Sequence, residues 1–215
     1  RALEAKESQG MDAETAALLF GLGRAQAATG GGFQLQEVVA TLSRAFDYYI
    51  EAGDLDRAVA VAEYPVGAAL GITTGAGQLI SRALPLVSPD SHQAGRLLST
   101  HGLTLYQDTG DYGGAQETFN RALAIAQRGK DTALEMRTLA NAANVHFYHM
   151  RPREVLEKGL QAIELAHHAD DPRTEALVLS HIVRTLDLMG DHEGAERHAG
   201  AMLAVAERLR DRYLL

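Results

Sequence analysis

An all-α chain, wound as an α-α superhelix of about five antiparallel helix pairs, is what the 215-residue sequence predicts. Three observations carry that expectation. Apolar residues recur at three- and four-residue steps through most of the chain, the period of a helix with one buried face. Short turns at Gly110-Asp111, Met150-Arg151 and Gly190-Asp191 stand 40 residues apart, so the pairs repeat. Ala, Leu, Glu and Arg dominate and Trp is absent, a composition that favours helix.

The first helix is expected over about 12–29, with Leu18, Leu19, Leu22 and Ala25 on one face. Gly30-Gly31-Gly32 breaks it, because glycine favours a turn over helix. A second helix, about 34–51, should bury Val38, Leu42, Ala45, Phe46 and Tyr49. Gly53-Asp54 turns the chain, with Asp54 placed as an N-cap. Helix three runs from about 55 to 69 with Pro65 inside it, a residue that kinks or ends a helix. A loop through Gly71–Gly75 leads to helix four, about 76–87, which stops before Ser88-Pro89-Asp90. Further helices are expected at about 91–108, 112–129, 132–149, 153–168, 172–189 and 192–212. Asp131 and Asp171 stand as N-caps and Pro172 suits a first helical position.

These elements make one repeat domain over 1–215, in pairs of about 12–51, 54–87, 91–129, 131–168 and 171–212. The formal net charge of −8 would repel a polyanion, and no dense Lys/Arg cluster overturns it, so no direct nucleic-acid binding is expected. Cysteine is absent, which excludes disulfides and thiolate chemistry and fits a reducing cytoplasm. No apolar run approaches the roughly 18 residues a spanning helix needs, so no membrane partner is expected. The chain opens RALEAKESQG and closes AERLRDRYLL still in helical register, so it reads as the excised middle of a longer protein.

The stretch RLLSTHGLTLYQDTGDYGGAQETFNRALAIAQR, residues 96–128, carries most of the small-and-large pattern of a tetratricopeptide repeat (TPR). Its places hold Ser99, Gly102-Leu103, Tyr106, Ala115, Phe119 and Ala122; the Leu-Gly order is inverted and Gln127 stands where the family has its terminal Pro. The next unit holds Leu139, Ala142-Ala143, His146, Val155, Gly159 and Ala162, and the last Leu179, Ile182-Val183, Leu186, Ala195, Ala199 and Met202. Near the start, Leu19 and Leu22-Gly23 match the first helix of the pattern. The period of 40 exceeds the family's 34, so each helix is longer, about 25 Å at a rise of 1.5 Å per residue. With GDYGGAQETFNRALAIAQ and GDHEGAERHAGAMLAVAERL, the chain resembles the sensor segment of LuxR-type, ATP-dependent bacterial transcriptional activators related to the maltose-regulon activator. That resemblance implies a signal-transducing segment between an ATPase module and a helix-turn-helix; neither module lies in this stretch, which has no G-x-x-x-x-G-K-[ST] loop.

Catalytic and cofactor motifs fail on detail. Gly21-Leu22-Gly23 opens like a dinucleotide fingerprint, but Gln26 replaces the third glycine and no strand precedes it. GITTGAG, residues 71–77, lacks a following Lys. His192-Glu193 would begin a zinc motif, yet Glu196 stands where the second His belongs. His146 and His149 could share a metal but no third ligand is evident, and His167-His168 suits the negative end of a helix. No enzyme activity, metal or cofactor is expected.

The resemblance places ligands in a concave groove lined by the first helix of each pair. On the central first helix the groove face holds Leu97, Thr100, His101, Thr104 and Asp108; on the next, Arg137, Asn141, Asn144 and Tyr148; on the last, His181, Arg184 and Asp187; Arg24 projects from the first. The candidate ligand-binding set is His101, Thr104, Arg137, Asn141, Asn144, Tyr148, His181 and Arg184. Two asparagines on neighbouring turns offer amide donors, and Arg137, Arg184 and His181 favour an anionic or carboxylate-bearing group. Tyr148 and Phe147 add flat apolar surface. Two readings stand open at this point. The set either binds a peptide, partner protein or small effector whose occupancy reaches the flanking domains, or it hydrogen-bonds internally in a structural array that spaces domains or self-associates as a homo-oligomer.

Overall fold

The computed structural model describes residues 11–29, 35–64, 66 and 74–209, apart from the side chains of Thr29 and His167. All ten α-helices among these residues belong to an all-helical fold with no strand: α1 Ala13–Thr29, α2 Leu35–Glu51, α3 Leu55–Ala62, α4 Ala76–Ala83, α5 His92–Thr109, α6 Tyr112–Gly129, α7 Thr132–Tyr148, α8 Pro152–Ala169, α9 Pro172–Leu188 and α10 His192–Leu209. A short 3-10 turn, Leu84–Leu86, follows α4 and contains Pro85. The chain divides into two compact units, Arg1–Gly110 and Asp111–Leu215. The division falls inside the pair expected at 91–129, with α5 in the first unit and α6 in the second.

Two expected boundaries move. Helix four ends at Ala83 rather than near 87, where the chain tightens into the 3-10 turn around Pro85. Helix three ends at Ala62 rather than near 69, with Glu63 as its C-cap. The sequence supplies the reason: Pro65 lacks an amide proton and disfavours helical torsions in the residue before it. Pro65, the Gly30-Gly31-Gly32 break, Gly71–Thr73 and the end of the last helix beyond Leu209 lie outside the described residues.

In the first unit the core gathers Ala16 and Leu19 of α1, Val38, Leu42, Ala45, Phe46 and Tyr49 of α2, residues of α3 and α4, and Leu97 of α5. The α2 stripe is the expected one. The α1 stripe is not: Leu18, Leu22 and Ala25 are exposed, while Thr15, Ala16, Leu19 and Gly23 are buried. Helix α1 is rich in Ala and Leu all round, so its own sequence leaves the buried side undecided, and α2 decides it. A Cβ on Gly23 would lie 2.6 Å from Leu42 Cδ2, so glycine there permits the closest approach of the two helices.

The second unit buries the residues of the repeat pattern. Ala115, Phe119 and Ala122 of α6, Leu139, Ala143 and His146 of α7, Val155 and Ala162 of α8, and Leu179 and Ile182 of α9 are all below one-tenth exposed. Small residues set the spacing: a Cβ on Gly159 would lie 2.9 Å from Ile182 Cγ1.

Turns in this unit recur every 20 residues with one geometry. Lys130 (φ 52°), Met150 (φ 57°), Asp170 (φ 45°) and Gly190 (φ 81°) all adopt the left-handed conformation that ends a helix. The next residue is Asp131, Arg151, Asp171 or Asp191. Each of the three aspartates accepts the amide three residues on: Leu134 at 3.0 Å, Thr174 at 3.1 Å and Gly194 at 2.9 Å. Asp54, Ser91 and Asp111 cap α3, α5 and α6 in the same way. Arg151 breaks the series, and no side chain caps α8.

Candidate functional site

The eight expected site residues fall in both units. In the first, His101 and Thr104 stand on α5. Burial pushes the His101 imidazole below the usual histidine range. Its Nε2 lies 3.1 Å from Ser81 Oγ of α4. Thr104 is buried and its hydroxyl donates to the His101 carbonyl at 3.1 Å, while Leu97, expected on the groove face, packs in the core. A bulky ligand has little access to either buried side chain.

In the second unit α7 and α9 bring four of the remaining six together, Asn144, Tyr148, His181 and Arg184, because they are the first helices of neighbouring pairs and pack side by side. Asn144 Nδ2 lies 3.3 Å from His181 Nε2. His181 is buried, and its Nδ1 donates to the Leu177 carbonyl at 2.8 Å. Burial lowers the His181 pKa, the Leu177 bond opposes this and the nearby Arg184 charge adds to it. The ring is therefore neutral near pH 7, with Nδ1 protonated and Nε2 accepting from the Asn144 amide. Asn144 Oδ1 is buried without a hydrogen-bond partner among the described residues.

Aromatic rings frame this pair. Phe147 and Tyr148 meet His181 edge-on, with centroids 5.2 and 6.3 Å away. The exposed Arg184 guanidinium lies over the Phe147 ring at 4.4 Å and forms no ion pair among the described residues. Arg137 differs: its Nη2 is 3.3 Å from Asp171 Oδ2, on the carboxylate that caps α9. Asn141 is half-buried on α7. Arg184 is thus the site's cation with no ion pair among the described residues, set next to a neutral imidazole, an amide and two rings.

Other polar positions have internal partners. Asp187 Oδ1 is 2.9 Å from His192 Nδ1, and Asp108 Oδ1 accepts the Thr74 amide at 3.4 Å. His146 is buried, its pKa lowered chiefly by that burial, with Nδ1 2.9 Å from the Tyr112 hydroxyl. His149 stacks on the Tyr112 ring at 3.9 Å. Among the described residues no group of three His, Asp or Glu side chains is placed to hold a metal ion. No helix among them is long and apolar enough to cross a membrane.

Two features go beyond the sequence. Phe147, expected only as flat apolar surface, carries the Arg184 guanidinium. A pocket of about 270 Å³ opens at the Met150-Arg151 turn, lined by Phe147, Pro152, Val155, Thr185, Leu188 and Met189 together with the turn itself. Its signal was present in the sequence, as the place where the 20-residue series of capping Asp residues gives way to Arg.

No family model matches the chain, and the search of curated proteins gives no match. Among solved structures the chain is similar to BtubC (BKLC) from P. vanneervenii, with a TM-score of 0.59 and 14% identity over 98% of this chain and 93% of that one. The fold is helical-repeat-like. At that identity the likeness concerns the fold alone.

Proposed function

We propose that this chain is a non-catalytic repeat scaffold of tetratricopeptide type, the sensor or interaction segment of a larger cytoplasmic transcriptional regulator of the LuxR kind. The reading rests on the repeated helix pairs, the small-and-large pattern and the lack of any catalytic constellation among the described side chains. A peptide, partner protein or small effector bearing an anionic group would dock on the α7–α9 face. The observation that carries this is Arg184, an exposed guanidinium held over Phe147 with no ion pair among the described residues, beside the Asn144–His181 pair. A cation stacked on an aromatic face keeps its donors free for a carboxylate.

Thermal-shift measurements against panels of acidic peptides and carboxylate metabolites test it. A ligand of the face raises the melting temperature, and Arg184→Ala and Asn144→Ala each abolish that rise while leaving the helical circular-dichroism signal intact. A rise that survives both substitutions refutes the site. The second reading, a structural array, is favoured by the Arg137–Asp171 and Asn144–His181 contacts, which link neighbouring first helices without any ligand. Light scattering over a concentration series separates it: a mass that climbs with concentration supports self-association.

A further inference from the structure

The Met150-Arg151 turn departs from its neighbours twice, and both departures face one pocket. Turns 131, 171 and 191 place an Asp carboxylate on the first helical amides; at 151 the side chain is Arg, and the N-terminus of α8 has no carboxylate cap. Residue 150 takes the left-handed torsion shared by Lys130, Asp170 and Gly190, but with a long apolar side chain where those turns have a charged residue or glycine. Local rules broken together, with no packing gain, mark sites kept for another reason. Here Met150 is 76% exposed and so packs on little.

The pocket beside that turn is apolar, with Phe147, Val155, Leu188 and Met189 in its wall. Leu188 and Met189 are 71% and 51% exposed, so apolar surface continues to its rim. Besides Arg151, one polar side chain lines the pocket. Thr185 is 2% exposed, lines the pocket, and its Oγ1 has no hydrogen-bond partner among the described residues. Helical threonines normally bond the carbonyl one turn back, as Thr138 does to Leu134 at 2.7 Å. A buried hydroxyl without a partner calls for one that the folded chain does not supply.

We propose that this pocket binds a small carboxylate with a short apolar body. The ligand carboxylate takes the place that Asp side chains occupy at the other turns, at the amide-bearing N-terminus of α8, and Arg151 pairs with it. The apolar body lies against Phe147, Val155, Leu188 and Met189, and Thr185 Oγ1, closed off in the unliganded chain, turns about χ1 to donate to the ligand. The volume suits this size: a cavity of about 150 Å³ accepts benzene, and this one is larger. Glu154 competes for Arg151 at 3.7 Å, but both groups are more than a third exposed and the contact is easily exchanged. The site is separate from Arg184 and stands whether or not the α7–α9 face binds anything.

Octanoate is the probe, titrated into the full chain carrying carbon-13 methyl methionine, with octan-1-ol as the uncharged match. Octanoate shifts the Met150 and Met189 methyl resonances and leaves buried Met136 unmoved, and octan-1-ol binds at least roughly tenfold more weakly, as loss of a charge-assisted contact demands. Arg151→Asp supplies the missing cap internally and weakens octanoate by roughly tenfold or more, while Thr185→Val weakens it by a few-fold. Neither change threatens the fold, since one adds a capping carboxylate and the other removes a partnerless hydroxyl. Unshifted methyls at millimolar octanoate, equal binding of octan-1-ol, undiminished binding to Arg151→Asp, or binding only by an apolar-ended peptide would each overturn the proposal.

Discussion

Replacing Arg151 with Asp should make the protein more stable, which is unusual for a change at a turn between two packed helices. Asp131, Asp171 and Asp191 each accept an amide three residues on, at 2.9 to 3.1 Å, and the backbone at 151 already has the torsions of an N-cap, φ −112° and ψ 73°. A capping Asp contributes about 1 kcal/mol over a residue that cannot cap, and a negative charge at the helix N-terminus adds about 0.3 kcal/mol or more. Two smaller effects oppose this. The exposed Arg151–Glu154 contact at 3.7 Å is lost, worth no more than about 0.3 kcal/mol at this exposure. The new carboxylate also repels Glu154 three residues away, by about 0.3 kcal/mol. The net gain is about 0.5–1 kcal/mol, or about 1–4 °C in melting temperature for a chain of this length. Urea denaturation followed by circular dichroism reads it directly, with Asp191→Ala as the reciprocal control, expected to lose about 1 kcal/mol. If Arg151→Asp destabilises the protein while Asp191→Ala does so too, position 151 is not a vacant cap and the 20-residue register of the turns is a coincidence.

Two other outcomes follow from the packing and the buried rings. Gly159→Ala should cost about 1–2 kcal/mol in urea denaturation even though alanine is the better helix former, because its methyl would sit 2.9 Å from Cγ1 and 3.2 Å from Cδ1 of the fully buried Ile182; Ile182→Val removes Cδ1 and should restore part of the loss, and additive effects would refute that contact. His101, His146 and His181 all have pKa values lowered mainly by burial, so the folded state binds their protons more weakly than the unfolded chain. Their contribution is fully present above the unfolded value of about 6.5 and is lost as pH falls below it toward the depressed folded values. Stability measured by denaturation should decline from pH 7 to 5, and His181→Gln should flatten that slope; an unchanged slope would show that His181 does not titrate as argued.

Sequence alone determined the class of fold, since period, turn spacing and capping chemistry are local properties that each helix carries by itself. It located Asp54, Asp131 and Asp171 as caps and the α2 stripe from Val38 to Tyr49, because α2 presents one apolar side and leaves no choice. It did not determine which side of α1 is buried, because Ala and Leu surround that helix and only α2 could choose among them. Nor could it separate a binding cluster from internal pairing. Arg137 and Arg184 look alike on a helix face, and only the position of Asp171 on the neighbouring helix occupies one and leaves the other over Phe147. The pocket at Met150-Arg151 belongs to tertiary structure for the same reason. Thr185 is 34 residues from Arg151 in the chain, and whether its hydroxyl finds a partner depends on three helix ends meeting, which no local period encodes.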